Sequence, residues 1–379
     1  MKRFALLLLI VWPLAVEAQI VISGNENKID LDLGKPTAVF DAQADSISII
    51  DFSRFPPRVR HLTGIANSVL GPPSNIAITP DGKVALIASS IKLDRAAAEG
   101  YVPDTLIHVL DLASRPPRVV AKVHAGRQPS GMSITPDGRR ALVANRADGT
   151  VTVLSISGTQ VKPVQTVQVA APEDSVADVA ISPDGKLALV SVQERHQLRV
   201  LALDGANVKA TDRKLSVCGQ PYRTVITADG QLALTAGAGQ GAPDADALTV
   251  VDLAARPIRT VDYVTIGSGP ESIEVSPDGK LVAAVLMNGS SAPAGDPRRT
   301  PNGLLVLLAR RGKTYTPVQR VAVGRVPEGV AFTSDGKYLL VQCHPAREIW
   351  VLRVSDESVE DTGQRIKTPG FPSSLRAAL

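Results

Sequence analysis

The sequence predicts an all-β protein, a seven-bladed β-propeller, and three observations carry that reading. Six segments repeat one pattern: ITPDGKVALIAS, ITPDGRRALVAN, ISPDGKLALVSV, ITADGQLALTAG, VSPDGKLVAAVL and FTSDGKYLLVQC. Eight residues before the Asp of each stands Pro73, Pro129, Val176, Pro221, Pro270 or Pro327, and a seventh copy of this register residue appears at Pro372. Seven alternating stretches follow the same order: DSISIIDFS, DTLIHVLDLA, TVTVLSIS, QLRVLAL, ALTVVDLA, GLLVLLAR and EIWVLRV.

Each repeat reads as a short strand, a tight turn and a second apolar strand. The Asp-Gly pairs begin at Asp81, Asp137, Asp184, Asp229, Asp278 and Asp335, at intervals of 56, 47, 45, 49 and 57 residues. Pro presets φ for the turn, Asp bonds the local backbone, and Gly accepts the positive φ of a hairpin. The alternating stretch is the third strand, half-buried in an antiparallel sheet. A more polar fourth strand, as in PPRVVAKVH or KPVQTVQVA, belongs on the outer edge. Six turns and seven third strands are reconciled if the segment Ser373 to Ala377 joins the N-terminal strands in one four-stranded blade. Pairing the two ends closes the ring and removes the open edges of an unclosed array.

Composition agrees. The chain has 379 residues, 44% hydrophobic and 21% charged, so it has ample apolar surface to bury and is not disordered. With 28 Pro and 30 Gly, long helices are excluded. The net charge of +4 is too small and too evenly spread for a nucleic-acid partner. Lys2 and Arg3, the apolar run Phe4 to Val16 and the site Val16-Glu17-Ala18 form a secretory signal pattern. Residues 1–18 are therefore expected to be a cleaved signal peptide and 19–379 a single propeller domain, periplasmic or secreted. The apolar run, interrupted by Pro13, is short of the roughly 20 residues that span a bilayer.

The PDGK-plus-apolar-strand copies resemble the YVTN-type β-propeller repeat over nearly the whole mature chain, with the tetrapeptide best kept as LVAN, Leu142 to Asn145. Related propellers include secreted proteins and the lactonase group that contains 6-phosphogluconolactonase. That resemblance is one of architecture, and no catalytic residue is carried over from it.

Several chemistries are absent from the sequence. There is no C-x-x-C-H for haem, no H-E-x-x-H or clustered Cys/His for zinc, and no G-x-S-x-G elbow. The Gly-rich stretch Ala236 to Ala247 lacks the Lys and helix of a phosphate loop and reads as a blade loop. Asp30-Leu31-Asp32 and Asp244-Ala245-Asp246 complete no calcium loop and read as solvated turns. No cofactor and no metal site are expected. The two cysteines, Cys218 and Cys343, fall two blades apart in the repeat register, too far for the roughly 7 Å that a disulfide allows, so both are expected to be free thiols.

A site on such a ring belongs at one mouth of the central channel. The residues following the register Pro, joined by the ends of the second strands, ring that mouth. The candidate ligand-binding set is Asn145, Arg146, Asp178, Tyr222, Arg223, Glu271, Glu328 and His344. The loops Gly24 to Asp45, Ile91 to Asp104 and Asn288 to Asn302 emerge at the same face. Channel mouths are wet in any propeller, so polar residues there also fit a mouth without function. Glu271 and Glu328 lie in adjacent blades. They fit an acid/base pair or, equally, solvated carboxylates paired with Arg223 or Arg325. His344 fits a proton carrier or a hydrogen-bonded spectator. Two functions remain open. The favoured one is a monomeric envelope propeller that binds a small polar ligand or an envelope protein. The other is a lactonase-type hydrolase with a carboxylate or His base and Arg146 or Arg223 at the oxyanion.

Overall fold

The computed structural model describes residues 19–32, 34–239 and 244–378. The expected signal segment 1–18 and part of the Gly-rich stretch lie outside the described residues. Seven four-stranded antiparallel sheets stand around a central axis. Blade 1 runs outward from Phe371–Ala377 through Ile20–Glu26 and Ser46–Asp51 to Arg58–Thr63. Blades 2 to 7 begin with the inner strands Ile76–Ile78, Pro129–Ile134, Val176–Ile181, Pro221–Ile226, Pro270–Val275 and Pro327–Phe332. The C-terminal strand therefore closes the ring as the repeat predicts, with Val21 opposite Ala377 and Ser23 opposite Leu375.

The turns show why the repeat has its form. In every Asp-Gly turn a Thr or Ser hydroxyl two residues earlier donates to the Asp carboxylate, as Thr79 does to Asp81 at 2.6 Å and Ser276 to Asp278 at 2.7 Å. The same hydroxyl oxygen accepts the amide five residues on, as from Val84 and Leu281. The turn glycines hold φ near +70°, for example +68° at Gly82 and +72° at Gly279, a region costly for any residue with a Cβ.

The core lies between blades, where the middle strands of neighbouring sheets face one another. Leu142, Val151 and Val153 of blade 3 pack on Val190 and Leu201 of blade 4. Val21, Ile50 and Leu375 of blade 1 pack on Leu340 and Ile349 of blade 7. Outer strands alternate between exposed and half-buried residues, as in Arg118–His124, which is the polar edge read from the sequence.

Two long loops fold into two-stranded hairpins: Ile29–Asp30 with Thr37–Ala38, and Ile91–Leu93 with Tyr101–Pro103. Ile29, Val69 and Ile91 join them in a small apolar cluster of their own, so these loops form a packed cap.

Cys343 is buried and Cys218 half-buried, and both are free. Cys218 Sγ lies 2.8 Å from Thr249 Oγ1, and Cys343 packs in the core between blades 6 and 7. Titration of the denatured, unreduced protein is therefore expected to give two thiols per chain. A result of none would place the two cysteines in a bond the register forbids.

Candidate functional site

In blades 3 to 7 the inner strand is irregular at the same place. Pairing with the second strand shifts between Pro129 and Met132, Val176 and Val179, Pro221 and Arg223, Pro270 and Ser272, and Pro327 and Val330. A bulge re-aims side chains at a sheet end. Here it separates the residues following the register position into two groups.

The first group is at the loop-covered mouth. Tyr222, Glu271 and Glu328 directly follow the register Pro of blades 5, 6 and 7. Arg146 follows the second strand of blade 3, its Cζ 5.7 Å from the Tyr222 ring centre. These four share one electrostatic neighbourhood. Burial pushes the Tyr222 hydroxyl far up, assisted by Glu271 and Glu328 and opposed by Arg146. Tyr222 also meets the backbone N–H of Gly71, which leads into blade 2 on the far side of the ring, so its ring crosses the mouth. Gly71 has φ +116°, and a Cβ there would stand 2.1 Å from Ser130 Oγ, so only glycine lets the two segments approach.

Burial raises the Glu271 carboxyl to about 8, against the attraction of Arg146. Burial, with the charges of Glu271 and Glu26, raises Glu328 well above the ordinary carboxylate range. Neither glutamate is held by the arginines that the sequence offered. Arg223 turns to Glu274, and Arg325 binds Asp32 and the carbonyl of Ser290. Ser130 Oγ, Arg146 Nη1 and Glu328 Oε1 are buried atoms with no hydrogen-bond partner within the described residues. Native proteins rarely leave such atoms unpaired.

Beside this group lies a charged cluster that the sequence reading missed. Lys28 Nζ is 3.0 Å from Glu26 Oε1 and also binds Asp45, which accepts the amides of Asn27 and Asn67. Burial lifts Glu26 to about 7, with Lys28 the main opposing influence. The cluster sits where the strand Ile20–Glu26 runs into a mouth loop, and the charged spacing Glu26-Asn27-Lys28 is the signal that was available.

His344 stands apart. Its ring stacks on Phe371 with centres 4.7 Å apart, and Nδ1 donates to the Pro372 carbonyl at 3.2 Å. Burial lowers its pKa to about 4, so the ring is neutral, and Nε2 has no partner within the described residues. Asn145 is buried, its amide nitrogen donating to the Thr150 and Thr152 hydroxyls at 2.8 and 2.9 Å, and its Oδ1 has no partner within the described residues.

The second group lies inside the channel. Asp178 is fully buried, accepting from Ser74 Oγ at 2.9 Å and from the Thr224 amide at 2.8 Å. Arg223 donates to Glu274 at 2.7 Å and to the Ile273 carbonyl at 3.2 Å, with Asp178 at 3.9 Å. Asp178 and Arg223 thus belong to the wall of the channel rather than to the mouth with Tyr222 and Glu271. A Cβ on Gly131 would stand 1.9 Å from Asp178 Oδ1, so glycine is what allows the carboxylate into the wall. No group of three or more metal-ligating side chains is found among the described residues.

The raised carboxyls imply a specific pH dependence of stability. A carboxylic acid with a raised folded-state pKa binds its proton more tightly when folded, so stability falls as pH rises from the ordinary 4.5 through the folded value. His108 and His344, lowered from 6.5 to about 4, act in the opposite direction but only below about 6.5. Between pH 6.5 and 8 the glutamates act alone, and the thermal midpoint is expected to fall across that window. A midpoint that stays flat from pH 6.5 to 8 would show Glu26, Glu271 and Glu328 ionised in the folded protein throughout.

Fold and site together define a seven-bladed propeller with an acid-lined, loop-covered channel mouth. A family model described as lactonase, 7-bladed beta-propeller, matches residues 111–226, and the suspected propeller resemblance holds. No curated protein matches by sequence. Among solved structures, a candidate 6-phosphogluconolactonase from Bacteroides uniformis superposes with a TM-score of 0.73 at 18% identity, covering 95% of this chain and 99% of the other. A periplasmic gluconolactonase from Pseudomonas aeruginosa superposes at 0.70 with 18% identity, covering 96% and 99%. Hydrazine synthase from Kuenenia stuttgartiensis superposes at 0.63 with 19% identity, covering 83% and 94%, so the fold alone does not select a chemistry.

Proposed function

We propose that the protein is a lactonase-type hydrolase acting on a neutral sugar lactone at the loop-covered mouth. The observation that carries this reading is the group of Glu271, Glu328 and Arg146, two buried carboxyls raised above the ordinary range beside a guanidinium whose Nη1 has no partner within the described residues. Ester hydrolysis needs a base for water, a cation for the oxyanion and an acid for the leaving alkoxide. Glu271, titrating near 8, accepts the proton of the attacking water. Arg146 and the Ser130 hydroxyl hold the carbonyl oxygen as it gains charge. The ring C–O bond then breaks, and the alkoxide takes its proton from Glu328, whose acid form burial favours. The Glu271 proton passes to solvent or back to Glu328, and a hydroxy acid leaves.

Two other cations at this face are already tied up, Lys28 by Glu26 and Asp45 and Arg325 by Asp32, while Glu26, Glu271 and Glu328 crowd the mouth. A phosphorylated lactone would therefore meet mainly carboxylates, and a neutral one fits better. The signal pattern at residues 2–18 and the periplasmic neighbour support a periplasmic or secreted site of action. Among the described residues no helix is long and apolar enough to cross a membrane. The binding-protein reading favoured by sequence alone rests on this same mouth and has no separate observation.

The test is a pH-stat assay with glucono-δ-lactone and a panel of γ- and δ-lactones. Turnover should rise as pH increases through about 8. If no lactone opens faster than it does in buffer, the hydrolase reading is lost, and a lactone bound without turnover would restore the binding protein.

A further inference from the structure

We propose a second ligand site, for a small carboxylate, at the opposite, Asp-Gly-turn end of the channel. A cavity of about 220 Å³ lies there, below the Asp178–Arg223 wall, its rim formed by turn residues including Pro183, Ala228 and Pro277. Its charged lining is Arg223, Glu274 and Arg376. Glu274 and Arg376 occupy the same repeat position, four residues after Pro270 and Pro372. The other blades carry Ala77, Ser133, Ala180, Val225 and Ala331 there. Two charged residues thus replace small or apolar ones facing the same cavity.

With Asp178 behind Arg223 the buried cluster is neutral as a whole, and Arg376 is its most loosely engaged cation. Glu274 Oε2 is already engaged by Arg223 at 2.7 Å, while Oε1 accepts the Val275 amide at 3.2 Å. Arg376 reaches that shared Oε2 only at 3.7 Å, beyond hydrogen-bond range. A guanidinium presents five N–H donors in a planar fork that matches a carboxylate. Burial and the neighbouring Arg223 both disfavour its charged form, which an added anion would offset. Met132, Val179 and Val225 line part of the cavity, beside Ser133, Thr224 and Ser276, and suit a short alkyl chain more than a bare inorganic ion. The volume is below the roughly 300–1,000 Å³ of sites for drug-sized ligands, so the ligand is small.

Titration calorimetry of the full chain with butyrate, and separately with inorganic phosphate, tests this. Butyrate should bind saturably with one site per chain. Arg376→Gln should weaken it roughly tenfold or more, as expected for losing a charge-assisted pair. Because Arg376 lies in the ring-closing strand, Ala228→Leu is the second variant: it narrows the rim without touching the charges, and should abolish binding while the thermal midpoint holds. Lactone turnover at the other mouth should survive Ala228→Leu, which separates this site from the proposed hydrolase. Absence of saturable butyrate binding, binding indifferent to both variants, or tighter binding of phosphate than of butyrate would each overturn the proposal.

Discussion

Replacing Glu271 by Gln is expected to lower kcat/KM for the best lactone by about 10²–10⁴-fold, the usual contribution of a positioned general base. The substitution keeps side-chain volume and removes only the titrating proton site. The rising limb of the pH–rate profile near 8 should vanish with it, because burial places that titration on Glu271. Folding should not suffer, since the variant removes a carboxyl whose ionised form burial already disfavours. Glu328→Gln should reduce turnover through the leaving-group step and leave the Glu271 limb near 8 in place, because burial, and not Glu328, raises that group. A Glu271→Gln enzyme that retains a third of its activity, or keeps the limb near 8, would assign the base elsewhere. His344 Nε2, neutral and without a partner within the described residues, would then be the first alternative.

The blades were legible because hairpin repeats are local: alternation, Asp-Gly turns and register prolines all act within about ten residues. The site was legible only in part, and the bulge explains which part. A period of two assigns neighbouring residues to opposite faces only while the ladder is regular. At the start of the inner strands of blades 3 to 7 it is not, so Tyr222 and Arg223 were placed together on one rim, whereas the structure sends Arg223 to Glu274. Arg223 and Arg325 were offered as partners for Glu271 and Glu328, yet each is taken by another acid. Chain-distant pairing of this kind, such as Arg325 with Asp32, leaves no periodic trace. Glu274 and Arg376 did leave one, as charges at a repeat position otherwise small or apolar, and comparing all seven copies column by column would have found them.

Removing residues 372–379 is expected to destabilise the entire ring rather than fray one end. The inner strand Phe371–Ala377 holds three blades at once. It pairs with Ile20–Glu26 in blade 1, and Leu375 donates its amide to the Pro73 carbonyl at the start of blade 2. Gln342 of blade 7 donates to the Ser374 carbonyl at 2.7 Å. Leu375 is 1% exposed, in the cluster shared by Val21, Ile50, Ala331 and Leu340. Deleting one such side chain costs about 2–5 kcal/mol, and here an edge of the sheet on the channel side is unpaired as well. That loss is comparable to the roughly 5–15 kcal/mol that holds a typical protein folded. The truncated chain should therefore melt without a cooperative transition, or at least about 10 °C below the parent. The Asp178–Arg223–Glu274 network should loosen with it, since Arg376 leaves the wall beside them. A truncated protein melting within about two degrees of the parent, too small a change for a loss of this size, would mean that the ring is closed by the six internal repeats and not by its C-terminal strand.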